Sequence, residues 1–286
     1  MVKSRYSDIF ELNLAIIFIS TSGVLGKYID LPVPLIIFLR SCIAGVVLLL
    51  YGKIRGFNFK IERKDRITVL IGGAFLGAHW ICYFYALKFS NVAIAMLSLY
   101  TFPTMTAILE PIILKKKFLK IHLVLGAIVL FGIYLLAPEF RVASESLYGV
   151  GLGLLSALFY ALRNIMLKLK VARYNQSILM FNQLTIISVL LLPLLFFFDS
   201  SNLIEYLPGT ILLGILTTAI GHTLFVYSLN NFSTTSASLM SSLQPIYGIV
   251  LAFVFLKEMP TLNTVIGGLL IISTVLIESI RIKKAI

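Results

Sequence analysis

Long apolar runs separated by short polar segments set the pattern of this 286-residue chain. Each run has roughly the 17–25 residues that an α-helix needs to cross a lipid bilayer. Helices are expected rather than strands, because backbone groups in lipid must find their hydrogen bonds within the segment. The pattern therefore predicts an all-α polytopic membrane protein with ten transmembrane helices. The ten apolar runs are 11–29, 34–51, 67–88, 92–114, 121–137, 147–168, 177–198, 208–229, 234–256 and 262–280.

One stretch of this pattern occurs twice. Residues Tyr85–Pro103 return as Tyr227–Pro245, at a constant offset of 142 residues. The identical pairs include Tyr85 with Tyr227, Leu87 with Leu229, Ala95 with Ala237, Leu97 with Leu239, Pro103 with Pro245 and, outside the stretch, Gly72 with Gly214 and Gly126 with Gly268. The repeat predicts two related halves, 1–140 and 141–286, with five spans each. Because five is odd, the second half enters the membrane from the opposite side, so the two five-helix repeats are predicted to be inverted.

Composition supports lipid as the surrounding medium. The chain is 59% hydrophobic and 13% charged, with a mean hydropathy of +1.00, whereas a soluble domain carries about 25% charged residues. The net charge of +12 would suit nucleic acid, but the basic residues lie in short loops between apolar runs. The expected partners are therefore the lipid bilayer and a small-molecule substrate, and not nucleic acid. Cys42 and Cys82 lie inside apolar runs and are expected to be buried structural thiols rather than metal ligands or a disulfide.

The basic residues also predict the orientation of the chain. With the N-terminus inside, eighteen basic residues fall on the inner side and four on the outer side, which is a strong positive-inside bias. The inner set is Lys3, Arg5, Lys53, Arg55, Lys60, Arg63, Lys64, Arg66, Lys115, Lys116, Lys117, Lys120, Lys168, Lys170, Arg173, Arg281, Lys283 and Lys284, and the outer set is Lys27, Lys88, Arg141 and Lys257. Both termini are thus predicted to be cytoplasmic, in the inner membrane of a bacterium. The run Leu12–Tyr28 is interpreted as a retained first span, because no clear cleavage site follows it.

Several of these features together resemble a known family. Phe38-Leu39-Arg40 opens the second span, Pro103 and Pro245 lie in spans four and nine, and Leu256-Lys257-Glu258 closes the ninth. With the ten spans and the five-plus-five repeat, the chain resembles the EamA branch of the drug/metabolite transporter superfamily. The resemblance implies transport of small metabolites. The family's Lys-Glu at the end of span four is replaced here by Lys115-Lys116-Lys117.

Polar and aromatic side chains recur at similar depths in different spans. Counted along helices that rise 1.5 Å per residue, most lie about 12–21 Å into their spans, near the middle of a hydrocarbon core about 30 Å thick. A ring of such groups at one depth is what a central binding cavity requires. The candidate substrate-binding residues are Ser22, His79, Trp80, Tyr83, Tyr100, Tyr160, His222 and Gln244. The alternative is a packing role, above all for serine, which in membrane helices commonly bonds its own backbone or a neighbouring helix.

Few charged residues lie inside the spans. Arg163 and Glu110 share a depth near the inner membrane surface, and the first interpretation is a structural ion pair between them, with a proton or substrate gate as the second. Arg40 lies nearer the outer surface, does not share that depth and is assigned a structural or gating role. Glu278 and Arg281, at the end of the last span, are interpreted as interfacial anchors.

Two prolines mark predicted kinks. Pro103 and Pro245 each remove a helix hydrogen bond and clash with the preceding turn. Kinks at these sites would free the carbonyl groups of Leu99 and Ser241 to face the cavity.

The function predicted from these patterns is secondary transport by alternating access. The substrates are expected to be small metabolites such as amino acids, moved outward across the cytoplasmic membrane without a cofactor. The sequence has no P-loop motif, so ATP is not expected to be the direct energy source. Two alternatives are an intramembrane enzyme, for which the sequence offers neither an HExxH motif nor a pair of intramembrane aspartates, and a non-transporting membrane receptor.

Overall fold

A computed structural model describes residues 5–90, 95, 98–136, 146–198, 202–256 and 261–284. These residues form helices joined by short turns, and no strand occurs among them. The helices of the first half are α1 (Arg5–Tyr28), α2 (Val33–Ile54), α3 (Arg63–Phe89), α4 (Phe102–Leu114) and α5 (Lys120–Leu136). Those of the second half are α6 (Ser146–Lys168), α7 (Gln176–Leu191), α8 (Leu203–Leu212), a π-helix (Leu213–His222), α9 (Thr223–Ser228), α10 (Thr234–Met240), α11 (Gln244–Leu256) and α12 (Leu262–Lys284), with 3₁₀ turns at Leu192–Phe197 and Ser241–Leu243.

The all-helical fold is confirmed for the described residues. Within the described part of the chain, five helical segments are long and apolar enough to cross a membrane, and shorter apolar helices cover Phe102–Leu114 and Lys120–Leu135. The five are Val33–Ile54, Arg63–Phe89, Leu147–Lys168, Gln176–Phe197 and Leu203–Ser228. The count of ten spans stays a prediction, and residues 91–94, 96–97 and the predicted Lys257-Glu258 pair lie outside the described part of the chain.

Large apolar side chains cover much of the outer surface. Phe196 is 88% exposed, Ile204 is 85% exposed and Ile54 is 83% exposed. In water, so many exposed apolar groups would form patches that soluble monomers rarely show. In lipid these exposed apolar side chains are in a favourable medium, in agreement with the composition of the chain.

The four most extensive helix contacts all join the first half to the second. Helix α3 packs along α6, and the π-helix packs along α1. Helix α2 packs on α7, and α5 packs on α12. Under the offset of 142 residues, α3 is equivalent to the π-helix region and α1 to α6, while α2 and α7 are equivalent, as are α5 and α12. Each contact therefore maps onto itself or onto another contact when the halves are exchanged, as a two-fold relation between them requires.

The helices are interrupted at both repeated prolines, as predicted. Helix α4 begins at Phe102, with Pro103 in its first turn. In the second half, α10 ends at Met240 and α11 begins only after a 3₁₀ turn, with Pro245 as its second residue. Proline fits the first turn of a helix because its missing N–H has no partner there.

One detail of the kink prediction is wrong. The carbonyl group of Ser241 is not free, because it accepts the backbone N–H of Gln244 in the 3₁₀ turn. The tighter i→i+3 bond replaces the i→i+4 bond that Pro245 removes.

Close approach between the halves depends on a glycine of the π-helix. A Cβ atom at Gly221 would lie 2.9 Å from Ile19 Cγ1 and 3.1 Å from the Ile19 backbone nitrogen. We expect Gly221→Ala to lower the free energy of unfolding by about 1–3 kcal/mol, because α1 must move to admit the methyl group. Thermal unfolding of the purified protein in detergent would measure the loss.

The matched control is Gly45→Ala on α2, where a Cβ atom would meet nothing within 4 Å. This change should be neutral or stabilising by up to about 1 kcal/mol, because alanine is the better helix former. Equal losses in the two variants would contradict the close α1 contact.

Candidate functional site

Four of the predicted site residues pack together where the halves meet. This aromatic cluster consists of His79 and Trp80 on α3, Tyr160 on α6 and His222 at the end of the π-helix. The His79 and Tyr160 rings stack with centroids 4.3 Å apart, and the Trp80 and His222 rings meet at 5.3 Å. Tyr160 also meets His222 edge-to-face at 6.4 Å. All four side chains are at most 7% exposed.

Hydrogen bonds fix the orientation of the His79 ring. The Ser156 hydroxyl donates to the backbone carbonyl of His79 at 2.9 Å, and it also lies 2.8 Å from His79 Nδ1. Because the hydroxyl proton is already used, Nδ1 must be the donor in the second bond. When His79 is neutral, its lone pair then lies on Nε2, for which no hydrogen-bond partner is found among the described residues. Ser156 was not among the predicted residues.

Trp80 and His222 occupy equivalent positions of the two repeats, since they are separated by the offset of 142 residues. A residue that contacts its own repeat partner must lie near the axis that relates the halves. Their ring contact of 5.3 Å therefore places the aromatic cluster close to that axis. The corresponding partner of His79 is Gly221, so the two halves are not alike in their polar groups.

The π-helix brings further polar groups to the cluster. The Thr218 hydroxyl donates to the carbonyl group of Leu213 five residues earlier, at 3.1 Å, and accepts a hydrogen bond of 2.9 Å from Arg40 Nε. His222 lies four residues further along the same segment. π-Helical turns occur often at functional sites, and nothing in the apolar pattern of the run 208–229 indicated one.

Arg40 reaches the aromatic cluster from α2. Its side chain is 1% exposed, and its Cζ atom lies 4.2 Å from the centroid of the Trp80 ring. A guanidinium over an indole face is a favourable cation–π arrangement. Its Nη2 atom is buried without a hydrogen-bond partner among the described residues. Arg40 was not among the predicted substrate-binding residues, because the depth of its backbone alone does not show how far its long side chain reaches.

The predicted ion pair between Arg163 and Glu110 is wrong. Gln183 Oε1 accepts hydrogen bonds from Arg163 Nη2 at 2.7 Å and Nε at 3.1 Å. Asn164 Oδ1 accepts from Arg163 Nη1 at 3.0 Å. Met180 Sδ lies 3.4 Å from Arg163 Nη2. Equal depth did not mean contact, because depth says nothing about the direction in which a side chain leaves its helix.

Glu110 instead joins α4 to the beginning of α10. Its carboxylate accepts the backbone N–H groups of Thr234 at 3.0 Å and Thr235 at 2.7 Å. It also accepts the Thr235 hydroxyl at 2.7 Å, and Lys116 Nζ lies 3.4 Å away. The first N–H groups of a helix lack intrahelical partners, so a carboxylate is well placed to satisfy them.

The remaining predicted site residues lie around the aromatic cluster or apart from it. Tyr100 packs on Phe102 with centroids 5.9 Å apart, and Phe102 packs on Tyr160 at 5.0 Å. Tyr83 is half-buried and meets its neighbour Phe84. The side chains of Ser22 and Gln244 are also half-buried. Within the described part of the chain, no hydrogen bond or ring contact joins those two side chains to the cluster.

Glu278 was predicted to be an interfacial anchor, and this is wrong. It is fully buried and accepts hydrogen bonds from Ser236 at 2.6 Å and from Arg281 at 2.6 and 2.8 Å. His122 of α5 lies 3.5 Å from the same carboxylate. A buried carboxylate is stable only with such partners, and here they tie α12 to α5.

A second ionic cluster joins α3 to the segment between α6 and α7. Asp65 accepts hydrogen bonds from Lys170 at 2.6 Å, Tyr174 at 2.7 Å and Arg173 at 3.1 Å. The hydrogen bond to Asp65 raises the pKa of the Arg173 guanidinium above its ordinary value. With the Glu110 and Glu278 contacts, this cluster links the two halves at the end of the molecule predicted to face the cytoplasm.

Comparison with known proteins agrees with this architecture. An all-helical membrane protein of two related halves is the design of a transporter, and the sequence matches the EamA-like transporter family twice, over residues 9–137 and 147–280. The chain belongs to this family and is an integral membrane transporter.

Individual similar proteins share about a quarter of their residues or fewer with this chain. The pseudopaline exporter CntI of Pseudomonas aeruginosa is 25% identical over 256 residues, which cover 89% of this chain and 88% of that protein. An uncharacterized transporter of Archaeoglobus fulgidus is 27% identical over 217 residues, covering 76% of this chain and 77% of that protein. A solved crystal structure aligns with a TM-score of 0.85 over 99% of both chains at 20% sequence identity, which shows the shared fold.

Proposed function

We propose that the protein is a secondary transporter that exports small metabolites such as amino acids across the bacterial cytoplasmic membrane. Membership of a transporter family supports the transport of a small solute, and the similarity to a protein named as an exporter supports the outward direction. The positive-inside bias of the loops supports cytoplasmic termini.

One observation carries the proposed mechanism. Trp80 and His222, which are equivalent in the two repeats, touch each other where the halves meet. In transporters built from inverted repeats, the substrate site lies at the repeat interface, and one unit rocks against the other around it. The aromatic cluster has the position that such a mechanism needs, with donors, acceptors and aromatic faces for a small amphipathic solute.

The ionic contacts of Asp65, Glu110 and Glu278 support a state closed toward the cytoplasm. Each of them joins a helix of the first half to a segment of the second. In alternating access these contacts would separate when the cytoplasmic side opens, and the aromatic cluster would then be accessible from inside.

Reconstitution tests the proposal directly. Proteoliposomes preloaded with a mixture of labelled amino acids should release at least one of them saturably and faster than protein-free liposomes. Flux should be measured with and without an imposed pH gradient, because a gradient-dependent rate indicates proton coupling and equal rates indicate facilitated diffusion or exchange. Release no faster than from protein-free liposomes, with every amino acid and under both conditions, would refute amino-acid transport.

A further inference from the structure

On the basis of the transport function above, we propose that Arg40 binds the carboxylate group of the transported solute and that His222 is the second hydrogen-bonding group for it. Arg40 lies against one side of the Trp80 indole, with its Cζ atom 4.2 Å from the ring centroid. The His222 ring meets the same indole at 5.3 Å. The two side chains thus converge on one residue at the contact between the halves.

Arg40 has unused hydrogen-bonding capacity. Its Nε atom donates to Thr218, whereas its buried Nη2 atom has no partner among the described residues. A guanidinium offers five N–H donors in a fork that matches the two oxygens of a carboxylate. A buried charged group whose donors are only partly satisfied is costly in a membrane, and an ionisable residue inside a membrane protein marks a substrate or ion site by default.

Arg163 provides the internal comparison. It is as deeply buried as Arg40, at 0% against 1% exposure, but all three of its nitrogen atoms have side-chain partners. A buried arginine of this protein can therefore have hydrogen-bond partners for all of its side-chain nitrogen atoms. Of the buried side-chain atoms without a partner in the described residues, Arg40 Nη2 is the one that belongs to a permanently charged group.

No acid neutralises Arg40 within the described part of the chain. Of the buried carboxylates, those of Asp65, Glu110 and Glu278 are engaged with other cations, and that of Asp8 accepts a hydrogen bond from Asn231. None of the ion pairs found there includes Arg40. A ligand with one negative charge would neutralise it.

His222 supplies the second polar group. Its side chain is 3% exposed, and its buried Nδ1 atom has no hydrogen-bond partner among the described residues. His222 follows Thr218, the residue that orients Arg40, by about one turn of the π-helix. One guanidinium and one imidazole N–H can satisfy both oxygens of a carboxylate, which favours this group over a larger or more highly charged anion.

The single tryptophan of the chain makes the site directly observable. Because the chain contains one Trp, all tryptophan fluorescence comes from Trp80, beside Arg40 and His222. L-leucine, L-threonine and acetate, each paired with its own carboxamide, should be titrated into the purified protein in detergent at constant ionic strength set with sodium chloride. We expect a saturable change in emission for at least one acid, and at least about tenfold weaker binding of its amide.

Variants at Arg40 assign the effect to this residue. Arg40→Gln should weaken binding of the acid by about 10- to 100-fold and leave the acid no better bound than the amide. Arg40→Lys keeps the charge but loses the planar fork, so an intermediate loss is expected. Arg163→Gln removes a buried arginine that already has hydrogen-bond partners. The Arg163→Gln protein should therefore still bind the acid more tightly than the amide.

Several results would overturn the site. They are equal binding of acid and amide by the wild-type protein, no saturable response to any of the three acids, an equal response to chloride or phosphate, or an undiminished acid preference in Arg40→Gln. The wild-type comparison of acid with amide decides the question even if Arg40→Gln fails to fold.

Flux measurements separate this site from the transport proposal. Acid-selective binding without flux in proteoliposomes would refute the proposed transport of these solutes and retain the site. Flux of a carboxylate solute with wild-type affinity in Arg40→Gln would refute the site and retain transport.

Discussion

Replacing His79 by alanine should weaken transport sharply while leaving the protein folded and inserted in the membrane. His79 Nδ1 is held by Ser156, so Nε2 is the atom that can serve a solute. Its loss leaves a polar group of the solute unpaired, at a cost of about 1–3 kcal/mol or roughly 5- to 150-fold in affinity. The apparent affinity and turnover in proteoliposomes, together with the thermal unfolding temperature, would measure the effect.

Two further variants test this interpretation of His79. His79→Gln can still form hydrogen bonds but cannot titrate near neutral pH, so transport that persists without its pH dependence would identify His79 as a proton-sensing group. Ser156→Ala releases the ring without removing it and should cost less affinity than His79→Ala. If His79 is only a packing residue, its loss should lower the unfolding temperature and spare the affinity. Wild-type affinity and turnover in both His79 variants would remove it from the site.

The helical architecture could be predicted because it depends on a strong and local signal. A single apolar segment that crosses a bilayer must form its backbone hydrogen bonds within itself, and the α-helix is the structure that does so. Several helices of the structure cover the predicted runs closely; α2, for example, covers Val33–Ile54 where the apolar run covers 34–51. The breaks at Pro103 and Pro245 were equally predictable, because proline removes a hydrogen bond whatever surrounds it.

The contacts within the site were only partly predictable. Depth along a helix follows from counting residues, and it brought His79, Trp80, Tyr160 and His222 to one level. The direction of a side chain around its helix, and its reach along the membrane normal, depend on packing that a single sequence does not reveal. For this reason the predicted pair of Arg163 and Glu110 is wrong, and Arg40 was not predicted to reach the aromatic cluster.

The side chains that hold the site residues in place could not be recognised in the sequence. Ser156 orients His79, Thr218 orients Arg40, and Gln183 satisfies Arg163. Serine, threonine and glutamine in an apolar run are ordinary residues of membrane helices. The π-helical turn changes the register of the residues that follow it, so their directions could not be read from a regular α-helical period.

Removing the charge of Glu110 or Arg163 should destabilise the protein strongly, and the two losses should add. Glu110→Gln places an amide against the N–H groups of Thr234 and Thr235, and Arg163→Gln removes the donors that satisfy Gln183. Each change leaves buried polar groups unpaired, so we expect each to lower the free energy of unfolding by at least about 2 kcal/mol. Thermal or denaturant unfolding of the two single variants and the double variant in detergent would measure the losses.

Additivity is the decisive part of this experiment. Because Glu110 and Arg163 share no partner among the described residues, the loss in the double variant should equal the combined single losses to within about 0.5 kcal/mol. A double variant more stable than either single variant would indicate that the two charges do pair, as residues at one depth in the membrane could, and would contradict the contacts described above. Asp30→Asn is the control for removing an acidic charge at an exposed position, and it should change the free energy of unfolding by no more than about 0.5 kcal/mol.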